Sequence, residues 1–151
     1  MDLPRITGEA FALAMEVREE ADRRRLAEAG WRLLDPIPIS ADERRYAAFL
    51  RESRGEFTTA KDVNVRLRSG WFSDRSACYL AAGRPVVTQD TAFGDVLPTG
   101  EGLFAYRTAA EAAEAILAIA ADPERHGRAA RRIAGEHLAA PRVLGAMLAA
   151  L

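Results

Sequence analysis

Cysteine is nearly absent from this chain of 151 residues: Cys78 stands alone. No disulfide can form within the chain, and its composition points to a reducing, cytoplasmic compartment. Histidine is almost as scarce. His126 and His137 fall in predicted tail helices far from the segment that holds Cys78 and read as surface or packing residues, so no metal site is expected. No apolar run approaches the ~20 residues a membrane-spanning helix needs, and Met1-Asp2-Leu3-Pro4-Arg5 lacks the apolar core of a signal peptide. An excess of one charge sign is missing too, since 21 Lys and Arg against 22 Asp and Glu leave a net charge of -1. Such a balance creates no field that draws nucleic acid or a membrane surface. Arg23-Arg24-Arg25 and Arg131-Arg132 lie in predicted helices and read as solvated faces. Gly-x-Ser-x-Gly, Gly-x-Gly-x-x-Gly and Walker-type loops do not occur.

The length fits one domain with a sizeable core, too short for two full Rossmann-like domains. Residues 7–29 carry Phe11, Ala14, Val17 and Ala21 at helical spacing, which predicts a first helix from Thr7 to Ala29, with Thr7 or Gly8 at its start and Gly30 just past its end. Trp31 to Leu34 reads as a short strand with Trp31 in the core, and the two prolines of Asp35-Pro36-Ile37-Pro38 predict extended backbone. Ser40-Ala41-Asp42-Glu43 has the form of a capping box ahead of a helix with Tyr46, Phe49 and Leu50 on one face, ending near Ser53-Arg54-Gly55. Glu56 to Ala60 is expected as a strand and Lys61 to Ser69 as mostly loop.

The most informative stretch runs from Gly70 to Val87. Ser73 and Asp74 can cap a helix, Gly83 supplies a left-handed residue to end it, and Pro85-Val86-Val87-Thr88 has the apolar, β-branched character of a central parallel strand. Beyond it, 89–102 is expected as a loop and Leu103 to Tyr106 as a last strand. Thr108-Ala109-Ala110-Glu111 forms a second capping box, whose helix would bury Ala113, Ile116, Leu117 and Ala120. Asp122-Pro123 opens another helix, and Pro141 interrupts the pattern before an apolar end. The alternation predicts an α/β fold: a Rossmann-like parallel sheet with flanking helices and a helical tail over 108–151. A helix beside a parallel strand aims its N-terminal amides into a cleft, so the start of the 73–82 helix is a natural anion site.

The stretch from Glu56 to about Phe104 resembles the carboxyl-terminal, donor-binding half of GT-B glycosyltransferases, in which a helix ending Ala-x-Gly-x-Pro-Val-Val leads into a strand and a loop that contact a sugar nucleotide. The match is best from Phe72 to Val87 and looser from Asp90 to Leu103. It is closest to a bacterial branch with a similar Ser-Gly-Trp-Phe-Ser-Asp-Arg-Ser segment. The resemblance implies a domain that binds a nucleotide-activated sugar, without a metal, for glycosyl transfer completed by an acceptor domain or subunit. Metal-free sites of this kind stabilise the diphosphate leaving group with helix-end amides and a cation.

Arg75 is the first candidate for that cation, since its planar fork suits phosphate; a surface ion pair with Asp74 or Glu101 is the alternative. Lys61 and Arg68 are second candidates, against ordinary solvated loop charge. Ser73 and Ser76 offer hydroxyls, although helix capping explains Ser73, and Asp74 stands beside them. The resemblance places Asp90 and Thr91 where the donor sugar's hydroxyls are contacted, with an Asx turn as the alternative. Trp71 can stack on a ring, and Gly100 and Gly102 read as backbone devices. One departure stands out: Gly70 and Cys78 occupy the places of two glutamates that many retaining relatives carry, the second of which grips the ribose. That contact therefore has no candidate here. Two alternatives from other classes remain, a non-catalytic nucleotide or phospho-ligand binder and a structural module that forms a homodimer through Pro141–Leu151.

Overall fold

A computed structural model describes residues 2–150. It divides into two compact units, Met1–Phe49 and Leu50–Leu151, within a mixed α/β fold of small parallel sheets flanked by helices.

In the first unit the expected long helix is replaced by three elements. Helix α1 (Leu3–Thr7) stops at Gly8, whose φ of 70° is left-handed. Strand β1 (Phe11–Ala14) follows, then helix α2 (Glu20–Glu28). Strand β2 (Trp31–Leu34) lies where expected and pairs in parallel with β1, Phe11 opposite Trp31. Half-buried Trp31 packs against the Phe11 ring with centroids 4.9 Å apart. The apolar residues at helical spacing thus serve a strand in part, because pairing with β2 outweighs a local preference that Gly8 already interrupts. Helix α3 (Pro36–Ser40) corrects the expectation of extended backbone. Asp35 accepts from the Ile37 amide, and the prolines sit in the first turn, where their missing N–H groups have no intrahelical partner to lose. The capping box expected at Ser40 is not made either. Asp42 caps helix α4 (Glu43–Glu52) by accepting from the Arg45 amide at 2.9 Å, while the Ser40 hydroxyl donates back to the Pro36 carbonyl.

The second unit is built on strands β3 (Glu56–Thr58), β4 (Val86–Gln89) and β5 (Leu103–Tyr106), ordered β3-β4-β5 and all parallel. Between β3 and β4 run helix α5 (Asp62–Arg66), within the stretch expected as loop, and helix α6 (Asp74–Ala81). The short α5 has Asp62 in its first turn and Arg66 in its last, paired at 3.6 Å. Helix α6 ends as the sequence dictates: Gly83 takes φ 71° and donates to the Leu80 carbonyl, and Arg84 donates to Tyr79, which satisfies two carbonyls of the last turn.

Helix α7 (Ala109–Ala121) makes the expected Thr108–Glu111 capping box in both directions. It buries Ala112, Ala113 and Ala115, however, and leaves Leu117 exposed, because its apolar residues are spread too evenly to fix one stripe. Helix α8 (Pro123–Ile133), capped by Asp122, buries His126, Ala129, Ala130 and Ile133, a strict i, i+3, i+4, i+7 face. A wide turn over Ala134–Leu138 leads into helix α9 (Ala140–Ala149), where Leu144, Met147 and Leu148 are exposed. Leu151, the last residue of the expected dimerising tail, lies outside the described residues. Gly102, at φ 76°, lets α8 approach so closely that a Cβ there would lie 2.4 Å from the Ala130 nitrogen. Val86, Val87, Leu80, Leu103 and Phe93 fill the core between sheet and helices.

Candidate functional site

Parallel strands bring their carboxyl ends to one edge, where ligands of α/β proteins gather. Here the loops that follow are stitched together. The Ala60 amide donates to Gln89 Oε1, the Gly70 amide donates to the Thr91 carbonyl at 2.7 Å, and Thr91 Oγ1 donates to the Trp71 carbonyl at 2.6 Å. The segment 68–72 is thereby held against the turn that follows β4. The two non-glycine residues with left-handed backbone among those described, Arg68 at φ 48° and Ala92 at φ 75°, belong to these two stretches. Such conformations persist only where surroundings enforce them.

The helix-start candidates are occupied by structure. Ser73 is buried and caps α6, accepting from the Arg75 amide at 3.2 Å, and Asp74 Oδ1 accepts from the same amide at 2.8 Å. Ser76 is fully buried, and its hydroxyl has no hydrogen-bond partner among the described residues. Arg75 finds a carboxylate partner on β3, 19 positions earlier in the chain. Its Nε donates to Glu56 Oε1 at 2.5 Å and its Nη2 to Thr58 Oγ1 at 2.7 Å. The Glu56 side chain is only 5% exposed, and its second oxygen is buried without a partner. Tyr79 completes this cluster: burial raises its pKa, the hydrogen bond with Ser53 acts to lower it, and the charges of Glu56 and Arg75 act in opposite directions. Glu101 lies elsewhere, on Arg125 at 2.5 Å and Arg132 at 3.1 Å, and these charge-assisted bonds, the one from Arg125 foremost, hold its carboxyl below the ordinary range.

Asp90 stands at the centre of a second cluster. Its Oδ1 accepts from the Ala92 amide at 2.8 Å, the expected Asx turn. Its Oδ2 receives both Nε and Nη2 of Arg107 at 2.7 Å and Arg68 Nη1 at 3.5 Å. Burial acts to raise the Asp90 pKa, but the Ala92 amide and the two guanidiniums together outweigh it, and the carboxyl sits below its ordinary value. The hydrogen bond to Asp90 raises the Arg107 pKa in turn. Thr91 is fully buried on Trp71, so its hydroxyl serves the loop. Lys61 is exposed at the N-cap of α5.

Sequence reasoning passed over Arg107. The signal available was its position directly after β5, since the first residues beyond parallel strands line the ligand edge. It also set His137 apart from the motif, yet the fold brings it back. An open groove of about 420 Å³ beside the start of α6 is lined chiefly by Phe72, Phe93, Val96, Leu97 and Leu138, with Ser73, Asp74 and His137 as its polar members. The Phe72 and Phe93 rings lie 5.4 Å apart. Trp71 is exposed. His126, by contrast, is a core residue whose Nδ1 accepts from the Gly102 amide at 3.2 Å. Gly70 has φ 73°, and Cys78 is exposed. No group of three or more His, Cys, Asp and Glu that could hold a metal occurs among the described residues, and none of their helices is long and apolar enough to cross a membrane.

Fold and site define an α/β domain with an arginine-bearing rim at the carboxyl ends of a parallel sheet and an apolar groove beside the first helix of the motif. No protein-family model matches the chain, and none of the curated proteins compared with it is significantly similar.

Proposed function

We propose that this chain is the donor-binding part of a GT-B-type glycosyltransferase, taking a nucleotide-activated sugar at the carboxyl edge of β3, β4 and β5. One observation carries the reading: the motif segment 70–77 and the turn after β4 are tied by the Gly70–Thr91 and Thr91–Trp71 hydrogen bonds, beside a concave apolar surface and a cationic rim. A nucleotide sugar asks for both, an apolar and aromatic wall for its rings and cations for its phosphates. The base that activates the acceptor belongs, on this reading, to a separate acceptor domain or subunit. The isolated chain then binds the donor without turning it over.

Saturation-transfer NMR of the purified chain against UDP, GDP, TDP, CMP and their sugar conjugates tests this. Transfer concentrated on one nucleotide and its conjugates supports the reading; absence of transfer to every one sinks it.

The exposed apolar residues of α9, Leu144, Met147 and Leu148, favour a second reading, a self-associating module without catalysis. Light scattering decides it, because a monomer with 141–151 intact rules it out.

A further inference from the structure

We propose that Arg68 and Arg107 form a clamp for a phosphoryl anion, with Asp90 as the residue that positions both guanidiniums. This rests on the donor-binding reading for its biological ligand and deepens it by moving the anion contact away from Arg75.

The first argument is the count of hydrogen-bond donors still available. Arg107 spends Nε and Nη2 on one oxygen of Asp90, and its Nη1 has no hydrogen-bond partner among the described residues. Arg68 reaches the same oxygen only at 3.5 Å, through Nη1, and its other guanidinium nitrogens have no hydrogen-bond partner among the described residues. Arg75, by contrast, is engaged by Glu56 and Thr58. A guanidinium binds phosphate through paired N–H groups, and two of them arriving from different elements suit an anion with several oxygens better than a planar carboxylate.

The second argument is placement. The two cations come from the segment ahead of α6 and from the end of β5, and they meet over the turn after β4, at the edge where the sheet's ligand is expected. Both stay in solvent, with side chains 53% and 69% exposed, whereas Asp90 is 10% exposed and pinned by Ala92. Asp90 therefore orients the pair from beneath and leaves the outward face to a ligand. Glu111, whose charge also acts on Arg107, turns its Oε2 onto the Arg107 and Thr108 amides at 2.6 and 3.2 Å. The capping box so formed satisfies the start of α7, which leaves the side chains as the seat for an anion.

Calorimetric titration of the full chain with inorganic pyrophosphate, and separately with UDP, at ~0.15 M salt tests the clamp. Arg107→Ala is expected to weaken pyrophosphate at least about tenfold, Arg107→Lys less, and Arg68→Ala several-fold. Arg66→Ala, which removes the same charge from α5, should stay within about twofold, and circular dichroism confirms that each variant is folded. Absence of pyrophosphate binding, or equal losses in Arg66→Ala and Arg107→Ala, overturns the clamp. Pyrophosphate binding that depends on Arg107 while no nucleotide binds supports the clamp and sinks the donor reading. UDP binding that Arg107→Ala leaves untouched does the reverse.

Discussion

Two arginine–carboxylate centres lie within this small sheet, each with an inward carboxylate and solvent-facing arginine, and they differ in how many cations share the carboxylate. At Glu56 one guanidinium serves one inward carboxylate and the neighbouring Thr58 hydroxyl, fastening the start of α6 to β3. At Asp90 two guanidiniums share one oxygen, and both remain in solvent. The first arrangement uses arginine as a clasp; the second holds spare donors in a fixed direction. Residue type and loop position do not separate these uses, whereas the number of guanidiniums gathered on one carboxylate oxygen does.

The contrast is broken most readily at the clasp. Arg75→Ala leaves a carboxylate that is 5% exposed without its cation, and is expected to destabilise the chain by about 2–3 kcal/mol in urea unfolding. That is below the usual range for a severed buried pair, because Arg75 is itself half in solvent. Glu56→Gln keeps an acceptor oxygen beside the half-solvated guanidinium, which retains its bond to Thr58, and should lose about 1 kcal/mol. Equal losses in the two variants would mean that burial is not what distinguishes the partners.

Tyr106 sharpens the same centre. Its hydroxyl donates to the Thr58 carbonyl at 3.1 Å, so Tyr106→Phe should destabilise by about 1 kcal/mol. Burial pushes its pKa up to about 12 from an ordinary 10.0. The folded chain thus holds this proton more tightly than the unfolded one. Its contribution is complete below pH 10 and is lost as pH rises toward 12, and absorbance of the phenolate should show one tyrosine titrating near that upper value.

Asp90 has the opposite sign. Its folded pKa lies below the ordinary 3.8, so its stabilisation is present above that value and is lost as pH falls beneath it. The acid limb of a urea-midpoint profile should flatten in Asp90→Asn, and an unchanged limb would show that the pair contributes nothing to folding. Smallest of all is the expected effect of Arg107→Ala on stability, a urea midpoint that falls only slightly because the Ala92 amide and Arg68 still hold Asp90, in contrast to its loss of pyrophosphate affinity. A rim residue whose removal unfolds the chain would belong with the clasp.

Much of the second unit was legible in its sequence because its boundaries are written locally. Ser73, Gly83, Thr108 with Glu111, and Asp122-Pro123 each satisfy backbone groups a few residues away, so those signals survive without knowledge of the fold. β2 and β5 were equally plain. The strand β1 was not, since Phe11 to Ala14 become a strand only by pairing with residues twenty positions further on. Competition hid the true cap of α4, because Ser40 and Asp42 are both good N-caps and the geometry takes Asp42. The candidate site followed the same division. The Ser73 cap and the Asp90 turn were foreseen, whereas part of the stretch expected as loop over 61–69 forms α5. The partners of Arg75 and Asp90 lie 17 to 22 residues away in sequence, and no spacing rule announces them.

The close approach at Gly102 has a consequence for how this chain can vary. A side chain there would meet backbone atoms of Ala129 and Ala130 as well as the Ala129 side chain, so no exchange of side chains on α8 makes room for it. That junction is a fixed point from which chain length is counted. Residues inserted upstream, in the exposed turn at 98–100, only enlarge a surface loop, whereas one residue added between Gly102 and Arg107 would shift the register of β5 and carry Arg107 away from Asp90.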